Sequence, residues 1–223
     1  MKTAPIIFNT EMVNALLDGR KTVTRRPPKK EVTYSENGGF CCDGYMFGLG
    51  FSPDSTMKNF VKSKHAPCKA GDLLYVRETF RLINHSDECG CSDHCSCPPS
   101  GTPIYFATHN DGESKWKPSI HMPRKFSRLT LKVTDVRIER LHDITEDQAK
   151  NEGCFISNVD EFHKHASPSY IRSFKFLWDS IYQNWCDNQY VWVIEFDLIN
   201  RNIDDYIKSL PSKTLGCHVL QPN

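Results

Sequence analysis

The chain has almost no net charge: 28 Lys and Arg against 27 Asp and Glu leave +1 over 223 residues. That excludes a histone-like global polycation, so any polyanion binding must come from local segregation of charge. No apolar run approaches membrane-spanning length, and Met1-Lys2-Thr3-Ala4-Pro5 lacks the long apolar stretch of a signal peptide. A cytoplasmic protein with no membrane partner is expected. Repeats and low-complexity tracts are also missing. Candidate strands do not alternate regularly with helices, which argues against a doubly wound parallel sheet.

What is present suits a globular protein. With 39% hydrophobic and 25% charged residues, the chain can bury a good core within a single domain. Ten cysteines are many for a reducing compartment, where metal binding or plain thiols replace a disulfide framework. Basic residues gather in Arg20–Lys30 and Lys115–Arg128, acids in Asp135–Glu161 and Asp179–Asp205. This segregation fits a positive face for nucleic acid or a phosphorylated small molecule.

The densest basic stretch is Gly19-Arg20-Lys21-Thr22-Val23-Thr24-Arg25-Arg26, extended by Lys29 and Lys30 beyond Pro27-Pro28. It follows a strand at Pro5–Phe8 and a helix capped by Asn9 or Thr10, with Met12, Leu16 and Leu17 on one stripe and Gly19 as its stop. A solvated basic turn is the plain alternative to a site. Glu31 to Ala70 is loop-like, an insertion or a lid, with glycines scattered among aromatics. Gly71–Phe80 reads as a strand in which Glu78 shares a face with Leu74, Val76 and Phe80. A carboxylate there is costly unless a cation meets it, and Lys21 is an available one; a frayed edge strand is the bland alternative.

Cys89, Cys91, Cys95 and Cys97, with His94 among them, could bring four thiolates to one structural zinc, although tight Cys-x-Cys pairs strain that geometry. Ile104–Thr108 reads as a strand. Pro118 and Pro123 fix an extended path that presents Lys117, His121 and Arg124. The apolar phase switches between Leu129-Leu131-Val133 and Val136-Ile138, which predicts a bulge near Thr134-Asp135. Thr145 to Gln148 is a capping box for a short helix ended by Gly153. Ser167-Pro168 opens a longer helix with Phe174, Trp178 and Ile181 on one face. Tyr190 to Leu198 is an alternating closing strand, and Ile203–Leu210 an acidic helix.

Gly19-x-Lys21-x-x-Thr24-x-Arg26 after a first helix resembles the signature of the ASCH family. Gly71-Asp72 opening a strand through Val76-Arg77-Glu78-Thr79-Phe80, the Lys117–Arg124 stretch and the Trp192–Phe196 strand are similar to prophage-type ASCH proteins. The resemblance implies an α+β fold: a PUA-like small β-barrel flanked by helices, with long loop insertions. It gives a domain over residues 1–200, insertions at about 31–70 and 81–102, and a C-terminal extension at 201–223. It also implies a cleft for RNA or a modified nucleoside. By match to small bacterial N(4)-acetylcytidine amidohydrolases, catalytic roles fall on Lys21, Thr24 and Glu78, with no cofactor required. Ribonuclease activity and non-catalytic RNA binding are the family's alternatives.

Chemically, Thr24 or a water it holds would be the nucleophile. Lys21 would accept a proton only if its pKa fell well below about 10.4, which neighbouring arginines and burial favour and Glu78 opposes. If Lys21 stays charged it would stabilise the oxyanion and leave Glu78 as base. In a binding module Lys21, Arg26, Lys117 and Arg124 would contact phosphates, Arg77 and His121 would join them in meeting the ligand, and Tyr75 or Tyr105 would stack on bases. A zinc-stapled loop that docks a protein partner is a third possibility.

Overall fold

The structure, a computed structural model, describes residues 1–48, 52–84, 98–110, 112, 114–156 and 169–211. Its frame is a five-stranded mixed sheet in the order β1-β6-β9-β10-β2. The strands are β1 (Thr3–Ile7), β2 (Val23–Arg26), β6 (Leu73–Arg77), β9 (Thr130–Arg140) and β10 (Tyr190–Ile199). β1 runs parallel to β6, and the other pairs are antiparallel.

β10 is buried on both faces, and its alternation divides the interior. Trp192, Ile194 and Phe196 enter the larger core, with Phe8, Leu74, Val76 and Leu131; Val191 and Val193 enter a smaller one with Val23, Phe174 and Trp178. The predicted bulge is present. Val133 faces Phe196 and Asp135 faces Glu195, so Thr134 is the extra residue. It lets Leu131, Val133, Val136 and Ile138 all reach the larger core despite their change of phase.

Helix α1 (Thr10–Leu17) starts at Asn9, whose Oδ1 accepts from the Met12 N–H at 2.9 Å. Val13 and Leu16 lie on its buried side, whereas Leu17 is exposed, one step off the expected stripe. The capping box at Thr145 opens α3 (Glu146–Asn151) as expected. Ser169 caps α4 (Tyr170–Tyr182), which buries Phe174 and Trp178 but leaves Ile181 exposed; Ser167 and Pro168 lie outside the described residues. Helix α5 (Ile203–Ser209) buries Ile203, and Asn202 donates to the Ser127 carbonyl at 2.7 Å.

Two expectations change. Residues 31–70 are not loop-like: β3 (Val32–Ser35), β4 (Gly39–Cys42) and β5 (Tyr45–Met46) form a second sheet, followed by α2 (Pro53–Lys62). Their strands are only two to four residues long, too short for periodicity to show, and Phe60 of α2 stacks between Phe40 of β4 and Trp192. The strand expected over Gly71–Phe80 stops at Arg77. The chain resumes at β7 (Phe80–Leu82), which pairs with β8 (Pro103–Tyr105).

No sheet closes into a barrel among the described residues. β1 and β2 are the two edges of the main sheet, and a side chain joins them: Arg26 Nη2 donates to the Ile7 carbonyl at 2.9 Å. The result is an α+β fold with an open seam between its first two strands.

Candidate functional site

The end of α1 places the basic stretch. Gly19 takes φ +71, and the Lys21 N–H donates back to the Ala15 carbonyl at 3.0 Å. Lys21 then bridges to Glu152, at the end of α3. Gly153 allows this approach, because a Cβ there would lie 2.6 Å from that of Ala15 and 3.1 Å from that of Lys21.

Alternation along β2 separates the next residues. Val23 and Arg25 face the smaller core. Thr24 and Arg26 face the other way, opposite Ile194 and Trp192.

On the first face lies a buried ionic network. Lys21 Nζ donates to Glu152 Oε2 at 2.7 Å, to the Glu152 carbonyl at 2.8 Å and to the Val23 carbonyl at 2.9 Å. Arg25 reaches Glu152 Oε1 at 3.3 Å, Glu139 at 3.0 Å and Gln148 at 2.9 Å. Burial draws the Lys21 ammonium below its usual value, and Glu152 pulls it back. Three acceptors around Nζ match three ammonium protons. In this arrangement Lys21 is a clamp between α3 and β2.

Glu78 is sealed at 2% exposure and does have a cation, as its place on the strand suggests. The cation is Arg128, not Lys21: Nε and Nη2 each lie 2.9 Å from a Glu78 carboxylate oxygen. Arg128 also lies over the Tyr105 ring, and Tyr105's hydroxyl donates to the Phe126 carbonyl at 2.9 Å. No hydrogen bond or ion pair joins Glu78 to Lys21 or Thr24. Thr24 is fully buried and its Oγ1 has no hydrogen-bond partner among the described residues.

The remaining candidates divide. Arg124 pairs with Asp204 at 2.7 Å and donates to Thr3 Oγ1 at 2.8 Å, which ties α5 and β1 together. Lys117 and His121 are exposed. Arg26 and Arg77 flank a cavity of about 510 Å³ in the seam. Its walls include Ile6, Met12, Leu74 and Ile194, with Ile181 and Tyr182 from α4. No carboxylate lines it, and neither arginine has an acidic partner among the described residues. Arg26 lies over the Phe8 ring at 5.2 Å, and Arg77 donates to the Ile120 carbonyl next to His121. A cavity of about 560 Å³ on the other side of α1 is different: Glu11 and Glu152 line it, and its Arg20 is paired with Asp18.

Cys89, Cys91, Cys95 and Cys97 lie outside the described residues. Among the described residues no group of three or more His, Cys, Asp or Glu is placed to hold a metal, and no helix is long and apolar enough to cross a membrane.

Sequence reasoning missed Glu152, which lies 131 residues from Lys21 with nothing local to link them. Arg128 had a weak signal, as the last member of the second basic segment. No family model, curated protein or solved structure matches this chain.

Cys154, beside this network, is pushed up to about 12 by burial first and by Glu152 second. The folded state therefore keeps a proton that the unfolded chain releases from about pH 9, so stability falls as pH rises from about 9 to about 12. Cys154→Ala is expected to lose less stability than the wild type over that window, measured by urea denaturation. Parallel curves would contradict it.

Proposed function

We propose that this protein binds RNA or a modified nucleoside in the seam between β1 and β2. The observation that carries this reading is the pairing of Arg26 and Arg77 on an apolar cavity without a carboxylate. Two unneutralised guanidinium groups favour an anionic or acceptor-rich ligand, and the apolar walls suit a base. The exposed Lys117 adds a further cation on the segment whose Ile120 carbonyl holds Arg77. The reading takes the open sheet as a PUA-like fold of ASCH type, working in the cytoplasm. A structural zinc on Cys89, Cys91, Cys95 and Cys97 belongs to it as a separate proposal, checked by metal analysis of the wild type and of Cys95→Ser.

Fluorescence polarisation with single-stranded RNA, and calorimetry with N(4)-acetylcytidine, test the binding. Arg77→Ala is expected to weaken it about tenfold, as for loss of one charged hydrogen bond. For RNA, the salt dependence should become shallower by about 0.7 for each phosphate no longer neutralised. Equal affinity of wild type and the Arg26→Ala/Arg77→Ala protein for both ligands would sink the proposal.

Deacylation of acetylated cytidine is the second reading, favoured by the unpartnered Thr24 hydroxyl behind Ile194, which lines the pocket. It requires Lys21 to be released from Glu152 and Thr24 to become accessible. Turnover by the wild type that disappears in both Lys21→Ala and Glu78→Gln would support it; RNA cleavage with the same losses would instead indicate a ribonuclease.

A further inference from the structure

Both seam arginines belong to the lining of the pocket. Ile7 on β1 stands directly opposite Arg77 on β6, and the Phe8 N–H donates to the Arg77 carbonyl at 3.2 Å. Arg26, arriving from the other edge of the sheet, donates to the carbonyl of that same Ile7. Both guanidinium groups are thus anchored by backbone carbonyls, Ile7 and Arg25 for Arg26 and Ile120 for Arg77, and by no acid among the described residues. Arg77 Nε has no hydrogen-bond partner among the described residues.

Two cationic side chains lining one cavity without an acid favour an anion there. Planar guanidinium forks match a phosphate's oxygens in pairs, which an ammonium cannot do. Asn9, whose Oδ1 accepts from the Met12 N–H to cap α1, also lines the pocket. The rest of the wall is apolar, closed on the α4 side by the Tyr182 ring, which packs on Trp178 at 4.5 Å. A volume of about 510 Å³ suits one nucleotide rather than a helix of them.

We infer that the seam recognises a phosphomonoester, held between Arg26 and Arg77, with the attached nucleoside against the apolar wall. The ligand class is a nucleoside monophosphate, or the phosphorylated end of an RNA strand that presents the same group. This inference rests on the binding reading above and narrows it: a bare nucleoside lacks the group that the two arginines share.

Calorimetry on the full chain compares cytidine, cytidine monophosphate, and a short single-stranded RNA with and without a terminal phosphate. The monophosphate is expected to bind at least tenfold more tightly than cytidine. Arg26→Lys and Arg77→Lys, which keep the charge but lose the fork, should each erase most of that difference. End-phosphorylated RNA that matches the monophosphate identifies a strand end as the ligand; a monophosphate that binds alone identifies the free nucleotide. Cytidine binding as tightly as its monophosphate, or RNA binding equally with and without the terminal phosphate, overturns the inference and leaves the binding reading standing. No binding of any of the four ligands overturns both.

Discussion

Glu152→Ala is expected to lower the unfolding free energy by about 3–5 kcal/mol, because it breaks a buried ion pair and leaves the partner charge behind. Lys21, Arg25 and Glu152 are 1%, 2% and 3% exposed, so solvent does little to screen them. Arg25 would keep Glu139 and Gln148, but Lys21 would face only the Val23 carbonyl and the carbonyl of residue 152. Burial would then act on the Lys21 ammonium with no carboxylate to oppose it and lower its pKa further. A lysine whose folded pKa lies below its unfolded one gains stability as pH rises between the two values. The deficit of Glu152→Ala relative to the wild type should therefore shrink as pH climbs toward 10.5, the ordinary lysine value. Lys21→Met/Glu152→Leu, which removes both charges and keeps apolar volume, should recover much of the loss. Urea denaturation with unchanged slopes measures all three proteins. A loss below about 1 kcal/mol for Glu152→Ala would mean that water reaches the pair, contrary to its burial.

Phe60→Ala is expected to cost about 3–5 kcal/mol, the range for removing a large aromatic from a packed core. Phe60 is fully buried between Phe40 at 5.5 Å and Trp192 at 5.0 Å, nearly parallel to both rings. It belongs to α2, Phe40 to β4 and Trp192 to the central strand β10. The second sheet and its helix therefore complete the larger core rather than lie over it. Loss of Phe60 should lower the whole cooperative transition, with one midpoint by fluorescence and by circular dichroism. If residues 31–70 were a peripheral insertion, the variant would instead melt that region alone and leave the main midpoint in place.

These residues show where sequence reasoning reached and where it stopped. The phase switch along β9 predicted the Thr134 bulge, because strand alternation has period two and one extra residue inverts it. The capping box at Thr145, the alternation of β10 and the acidic helix at Ile203 were legible for the same reason: each is a pattern over a few adjacent residues. Phe60 was not legible as a core residue, since two- to four-residue strands carry too few alternations to register. The burial of Glu78 was legible from its strand face. Its cation was not, because Lys21 and Arg128 are equally cationic in a string of letters. Fold geometry chose Arg128 and gave Lys21 to Glu152.

The seam pocket makes the same division. Composition and charge runs by themselves determined that this near-neutral chain has local basic segments, one of which holds Arg26; Arg77 lies outside both and became a candidate through the strand block of the family resemblance. Only the tertiary structure decided which cations are neutralised. Arg25 and Arg26 are adjacent in sequence, yet strand alternation sends one into a buried acidic network and the other to the seam pocket, with no acidic partner among the described residues. Local patterns set the elements, because backbone propensity and periodicity act over a few residues. Pairing between distant side chains sets the site, because Coulomb energy depends on separation in space and on exclusion of water, which sequence distance does not record.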